Sequence, residues 1–160
     1  MIIRRIEASD NLIVGKIIRG VLTEFGANRE GFAWEDPELD HMTEAYSGQG
    51  QDYFVIVVDG EVVGGGGFSS FSCSLNSCCE LQKMYMLPSY RGFGLGEQLI
   101  KQAIRFASDH YHWCYLETLH TMHLAEKLYR QIGFVRIPAP IIQTEHNGCD
   151  RWFIKELMDG

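Results

Sequence analysis

Long apolar runs are missing from this chain. The longest, Tyr53-Phe-Val-Ile-Val-Val58, falls far short of the ~20 residues that a membrane-spanning helix needs, so no membrane partner is expected. No basic segment followed by an apolar stretch opens the chain, which reads as no secretory signal. No internal repeat is present, and that excludes collagen, coiled coil and solenoid. Basic charge is scarce: 14 Lys and Arg stand against 21 Asp and Glu, a net charge of −7. That disfavours nucleic acid as a partner and gives a small bias toward a cationic or amine partner. A C-x-x-C pair is also lacking. The five cysteines, Cys73, Cys78, Cys79, Cys114 and Cys149, form neither a complete disulfide framework nor a zinc-knuckle spacing. Reduced thiols in a cytoplasmic protein without a metal are the expectation.

What is present is ordinary globular composition: 160 residues, 46% hydrophobic, 22% charged and 12% aromatic. This is one domain's worth of chain, and with no linker in sight residues 1–160 read as a single domain. A strand is predicted over Ile2–Glu7. A helix follows, capped by Ser9 or Asp10, with Ile13, Ile17, Ile18, Val21, Leu22 and Phe25 at helical spacing. Ala27–Pro37 reads as a loop, and Asp36-Pro37-Glu38 as the start of a short helix with Leu39, Met42 and Tyr46 inward. Tyr53–Val58 and Glu61–Phe68 are strands joined by the Asp59-Gly60 turn. Gly64 to Gly67 in the return strand point either to close approach by a backbone or ligand, or to a bulged strand. Ser69–Ser77 is a predicted loop and Glu80–Leu87 a central strand. Helices are expected from Leu95 to Ala107 and from Met122 to Ile132, with strands at Trp113–Thr118, Phe134–Ile137 and Arg151–Leu157. Pro138–Asp150 is a long connection of the kind that carries function. Early hairpins followed by strand–helix–strand–helix–strand imply an α/β fold, a mixed sheet with helices on its faces.

A glycine-rich turn between a strand and a helix start is a place for phosphate, because unpaired amides and the positive helix end converge there. The dinucleotide fingerprint G-x-G-x-x-G fails from both Gly92 and Gly94, since the third position falls on Glu97 or Leu99. The P-loop fails because Glu97 and Gln98 follow Gly96. What stands here is R-x-x-G-x-G, Arg91 to Gly96, within Lys83-Met-Tyr-Met-Leu-Pro-Ser-Tyr-Arg-Gly-Phe-Gly-Leu-Gly96. In this setting the sequence resembles the GNAT acyltransferase superfamily, whose signature is Q/R-x-x-G-x-G/A. Ala125-Glu-Lys-Leu-Tyr-Arg-Gln-Ile-Gly-Phe134 is similar to that family's A-x-x-L-Y-x-x-x-G-F segment. The order of the elements matches across the whole chain.

The resemblance implies a GNAT-like acyl-CoA N-acyltransferase fold, with a mixed, mostly antiparallel central sheet flanked by helices. It implies acetyl transfer from acetyl-CoA, without a metal, to the amine of a small molecule or amino acid. Many family members are dimers, so a homodimer is one expected state. The backbone of Met84, Tyr85 and Met86 would pair with the pantetheine amides. Arg91, Gly92, Phe93, Gly94, Leu95, Gly96 and Glu97 would wrap the pyrophosphate, with the Glu97 side chain turned away. Tyr129 matches the tyrosine that faces the CoA sulfur; otherwise it packs on an apolar helix face. Glu80 stands where the family often has a glutamate base, with Glu117 the competitor and His120 a distant third. One departure stands out: many members carry an asparagine three residues before the alanine of A-x-x-L-Y, and here that position is Met122, so Thr121 or His123 would replace the contact. On the acceptor side the expectations are Phe32 and Trp34, with Tyr46, as cleft lining or core, and His146, Cys149 and Trp152 in a substrate lid. Glu30, Glu35 and Asp36 would attract an ammonium or simply be solvated. His120 and His123 have metal spacing but no evident third ligand. The competing readings are a non-catalytic CoA-binding sensor, which needs neither Glu80 nor Tyr129, and a protein or peptide N-acetyltransferase with an open groove.

Overall fold

A computed structural model of the chain describes residues 1–142 and 147–157. Its elements are β1 Ile2–Arg5, α1 Asn11–Glu24, α2 Met42–Ala45, β2 Asp52–Val58, β3 Glu61–Ser70, β4 Cys78–Met86, α3 Leu95–Ala107, β5 Trp113–Thr118, α4 His123–Ile132, β6 Val135–Ile137 and β7 Arg151–Glu156. The strands form one seven-stranded sheet in the order β1-β2-β3-β4-β5-β7-β6. Only the β4–β5 pair is parallel; the others are antiparallel. This is the mixed, mostly antiparallel sheet with helices that was expected. No helix among the described residues is long and apolar enough to cross a membrane.

Alternation along the strands sorts side chains onto two faces. On β2, Phe54 and Ile56 face a core completed by Leu99, Ile100, Ala103 and Ala107 of α3 and by Tyr129 of α4. Tyr53 and Val55 face the opposite way, onto Val14, Ile18 and Leu22 of α1 and onto Leu39, Met42 and Tyr46. Of the residues expected on the inner stripe, Ile17, Ile18, Val21 and Leu22 are buried, whereas Ile13 is 39% exposed and Phe25, just past the end of α1, is half-buried. The segment after Pro37 is a 3-10 turn, Pro37–Asp40, separated from α2 by His41. β3 and β4 both run further than predicted, so their hairpin loop shrinks to the residues between Ser70 and Cys78. The sequence there is small and polar, but Ser69 pairs with Glu80 and Ser70 with Cys79.

The glycine run of β3 is explained by neighbouring side chains and a bulge, with no room reserved for a ligand. A Cβ on Gly66 would lie 1.8 Å from the Met84 sulfur, and one on Gly67 would lie 2.3 Å from the Asp52 carbonyl oxygen. The Tyr53 ring lies across Gly65 and Gly67, at 2.7 and 2.8 Å from their hypothetical Cβ atoms. Opposite the run, β4 carries one extra residue between Gln82 and Tyr85. Lys83 takes up the bulge with φ +51, a conformation rare for a residue with a side chain. Three contacts hold it there. Tyr53 Oη donates to the Lys83 carbonyl at 2.9 Å, and Lys83 Nζ meets Glu38 at 2.9 Å and Asp36 at 3.2 Å. Burial alone would lower the Lys83 pKa, but the two carboxylates raise it above the usual lysine value.

Candidate active site

The bulge changes the path of β4, and the consequence is a parting of strands. β4 and β5 pair only over Cys78–Glu80 and Trp113–Tyr115. Beyond that point β4 stays bonded to β3 as far as Met86, while β5 follows β7 as far as Thr118. Among the described residues, the edge of β4 from Leu81 to Met86 therefore has no strand partner on the β5 side. A cavity of about 430 Å³ lies along that edge, lined by Met84, Tyr85 and Met86, by the glycine turn, and by Met122, Ala125, Leu128 and Tyr129.

The turn itself is held open by its backbone. Gly92 and Gly94 have φ +85 and +82, which a side chain disfavours, and a Cβ on either would meet nothing within 4 Å. The first bond of the α3 ladder runs from Gln98 N–H to the Gly94 carbonyl at 3.3 Å. The amides of Leu95, Gly96 and Glu97 therefore precede the ladder at the positive end of a thirteen-residue helix. Only the backbone of Phe93 and Leu95 is available to this site, since the Phe93 side chain is 73% exposed and Leu95 packs into the core. Glu97 lines the cavity and pairs with Lys101 at 2.7 Å, which ties its charge to its own helix.

Arg91 turns out to be a fastener. Its Nε donates to the Met86 carbonyl at 3.0 Å, and both terminal nitrogens donate to Glu24 at 2.7 and 2.9 Å. That bidentate pair holds the Glu24 carboxyl below its usual range. The guanidinium also lies 5.7 Å from the Phe25 ring. Sequence reasoning did not find Val21 of α1, Phe25 just beyond its end, or Lys127 of α4, yet all three line the cavity. Phe25 and Val21 carried only the signal of a core stripe, and Lys127 that of an ordinary solvated helix face. Met122 does line the cavity, and its sulfur accepts a hydrogen bond from Thr118 Oγ1 at 3.5 Å.

Tyr85 and Tyr129 line the cavity, and Cys149 lies near enough to both, and to Glu80 and Glu117, for their charges to act on one another. Tyr129 is buried, set edge-on to Phe134 at 5.9 Å. Burial raises its phenol above the ordinary tyrosine range, with Cys149 and Cys114 adding to the effect. Tyr85 is raised in the same way by burial and by Cys149. Burial pushes the Cys149 thiol up to about 12, and Glu117 and Glu80 add to it. One thiol thus senses both candidate bases and both phenols. Glu80 Oε1 accepts from Gln82 Nε2 at 2.6 Å. Glu117 Oε2 accepts from Tyr115 Oη at 2.8 Å, and Tyr115 is stacked on Phe71 at 4.8 Å.

The remaining expected residues divide. Phe32 is buried in the core formed with α1, and its ring lies against Gly148. Gly148 N–H donates to the Gly31 carbonyl at 3.0 Å, so the loop carrying Cys149 sits on the loop carrying Phe32. Trp34 packs partly buried on the same core, and Trp152 lies across β5 from Glu117. His146 lies outside the described residues. His120 is committed to Asp150, through its backbone N–H at 2.8 Å and through its ring. Among the described residues no group of three or more His, Cys, Asp and Glu side chains is arranged to hold a metal. A second cavity, about 490 Å³, lies on the α2 side of β4, lined by Glu38, His41, Glu44, Ala45, Tyr46, Ser69 and Gln82. Nothing local in the sequence announced it, because its walls come from three separate segments.

Comparison with known proteins agrees with this geometry. Residues 20–134 match the model of the acetyltransferase (GNAT) family. An uncharacterised N-acetyltransferase of Escherichia coli K12, YjgM, is 38% identical over 158 residues, covering 98% of this chain and 95% of that protein. The crystal structure of a GNAT-family acetyltransferase from Staphylococcus aureus Mu50 superposes with a TM-score of 0.83 at 19% identity, covering 98% of this chain and 99% of the other. That of yncA from Salmonella typhimurium, solved with its cofactor acetyl-CoA, superposes with a TM-score of 0.76 at 19% identity, covering 99% and 95%. The parted strands, the glycine turn and the sequence match lead to one conclusion: this chain belongs to the GNAT family of acetyl-CoA-dependent N-acetyltransferases.

Proposed function

We propose that this chain moves the acetyl group of acetyl-CoA directly to a primary amine of a small molecule or amino acid, with both substrates bound together. The observation that carries this reading is the edge of β4 without a strand partner among the described residues, which borders a cavity lined by Tyr129 and the glycine turn. Backbone groups of Met84, Tyr85 and Met86 pair with the pantetheine amides as strand pairs with strand. The free amides from Gly92 to Glu97 take the diphosphate. Because Glu24 already neutralises Arg91, the balancing charge comes from those amides, the helix dipole and Lys127.

The amine side supports the same reading. The cavity beside Gln82 and Ser69 has small-ligand size, and Glu44 on its wall suits an ammonium, Glu38 being already paired with Lys83. Only about one in a thousand such amines is neutral at pH 7, so a base is needed. Glu80 takes that proton, directly or through a water, with Glu117 as the alternative. The neutral nitrogen then attacks the thioester carbon, a β4 amide steadies the oxyanion, and the carbon–sulfur bond breaks. Tyr129 gives its proton to the departing thiolate and recovers one from solvent, while the attacking nitrogen sheds its second proton to solvent as the amide forms. Cys149 and Phe32 shape the acceptor side, the thiol kept neutral by its surroundings.

Thiol release from acetyl-CoA with a panel of primary amines tests the reading. At least one amine should release thiol, and Glu80→Gln should slow that release on the order of 10²-fold. No release with any amine would sink it in favour of a CoA-binding sensor.

A further inference from the structure

Glu80 does not stand alone on its strand. Gln82 is two residues on, on the same face, and its Nε2 donates to Glu80 Oε1 at 2.6 Å. An amide can present either end, and here the choice is made by Tyr46, whose Oη donates to Gln82 Oε1 at 2.7 Å. Tyr46 is itself fixed: it is buried, tilted against Tyr53 at 5.3 Å, with Lys83 Nζ 5.9 Å from its ring. Burial, and then the charges of Glu38, Glu80 and Asp36, keep its phenol protonated. We propose that Gln82 is a positioning residue for the base: its amide, oriented by Tyr46, grips one oxygen of Glu80, aims the carboxylate and keeps it ionised. The proposal rests on Glu80 being the base.

A hydrogen bond to an ionised group is among the stronger ones. Other titratable groups face Glu80 and remain in every variant below. They are Tyr115 across on β5, Cys149 from the loop before β7, and Cys78 and Cys114 at the strand start. Glu117 acts on the same Tyr115 and Cys149.

The test is a carbon-13 titration of the glutamate carboxyls in the intact protein, with the Glu80 signal assigned by its loss in Glu80→Gln. Gln82→Met keeps the shape but removes the donor, and should raise the Glu80 midpoint by about one pH unit. Tyr46→Phe leaves the amide unanchored and should raise it by less. Thiol release by Gln82→Met should fall about tenfold with KM for acetyl-CoA unchanged. An unmoved midpoint in both variants overturns the proposal, even if activity falls, because that pattern is what a merely structural role would give. If Glu80→Gln keeps its thiol-release rate, the base assignment fails, whereas the titration still reports separately on the Gln82 hydrogen bond.

Discussion

Tyr129 and Lys127 sit two residues apart on α4 and act at different distances from the chemistry. Tyr129 is buried on the cavity wall, and its phenol stays protonated across any practical assay range because burial holds its proton. Tyr129→Phe is expected to lower kcat by about 10- to 100-fold with CoA affinity changed less than about threefold. The shape of the pH profile should be the same in both enzymes, since no titration of the phenol enters it. Steady-state kinetics with calorimetric CoA binding checks both halves. Lys127 is exposed on the cavity wall, so under the proposed function its effect on the diphosphate would be that of a screened surface charge. Lys127→Ala should raise KM for acetyl-CoA about two- to fivefold at low salt, and the difference should shrink in high salt. At this scale the sequence was informative wherever the chemistry was local. Arg91 to Gly96 and Tyr129 could be picked out because each lies in a short contiguous segment that resembles a motif of the family. The Arg91 pairing with Glu24 was hidden, because its partner lies 67 residues away.

At the scale of elements, the active-site cleft is a consequence of how β3 and β4 fit. Glycines in β3 let Tyr53 lie flat, Tyr53 holds the Lys83 carbonyl, and the Lys83 bulge sends β4 away from β5. Gly67→Ala places a methyl group against the Asp52 carbonyl oxygen and the Tyr53 backbone, neither of which can swing aside. Overpacking of this kind costs about 1–3 kcal/mol. The expected fall in Tm is about 2–4 °C per kcal/mol for a chain of this size, read by differential scanning calorimetry. The strands and main helices were legible from their periods of hydrophobicity. The parting of β4 and β5 was not, because a lysine at positive φ leaves no mark in a sequence and its stabilising acids lie in a distant loop. For the same reason the cavity beside Gln82 escaped notice, while Phe32, left open as cleft lining or core, is buried against α1 with its ring on Gly148.

Across the whole molecule, acidic groups dominate, and several are tied to cations. Burial by itself would raise Asp10, but the Arg4 guanidinium and the Glu7 amide outweigh it and the folded pKa is lowered. Glu24 and Asp150 are lowered as well, Glu24 by Arg91 and Asp150, against the opposing effect of burial, by His120. A carboxylate with a depressed folded pKa adds stability that is fully present above its unfolded value, near 4, and is lost as pH falls through the folded value. The melting temperature should therefore drop below about pH 4, and Asp10→Asn should flatten part of that drop in a pH series of thermal melts. The fold-level expectation held at this scale because element order pointed to a mixed sheet with helices and the family resemblance to a mostly antiparallel one, whereas the strand order itself was seen only in the structure.

The contact between Gly148 and the loop of Gly31 and Phe32 has an evolutionary corollary. More than a hundred residues separate these two segments, yet they pack directly on one another, and under the proposed function they would shape the acceptor side together. A chimera that imports only one of them from a relative would put mismatched surfaces together and lose selectivity for both parents' acceptors. Importing the two as a matched set is the route by which selectivity would travel between members of the family.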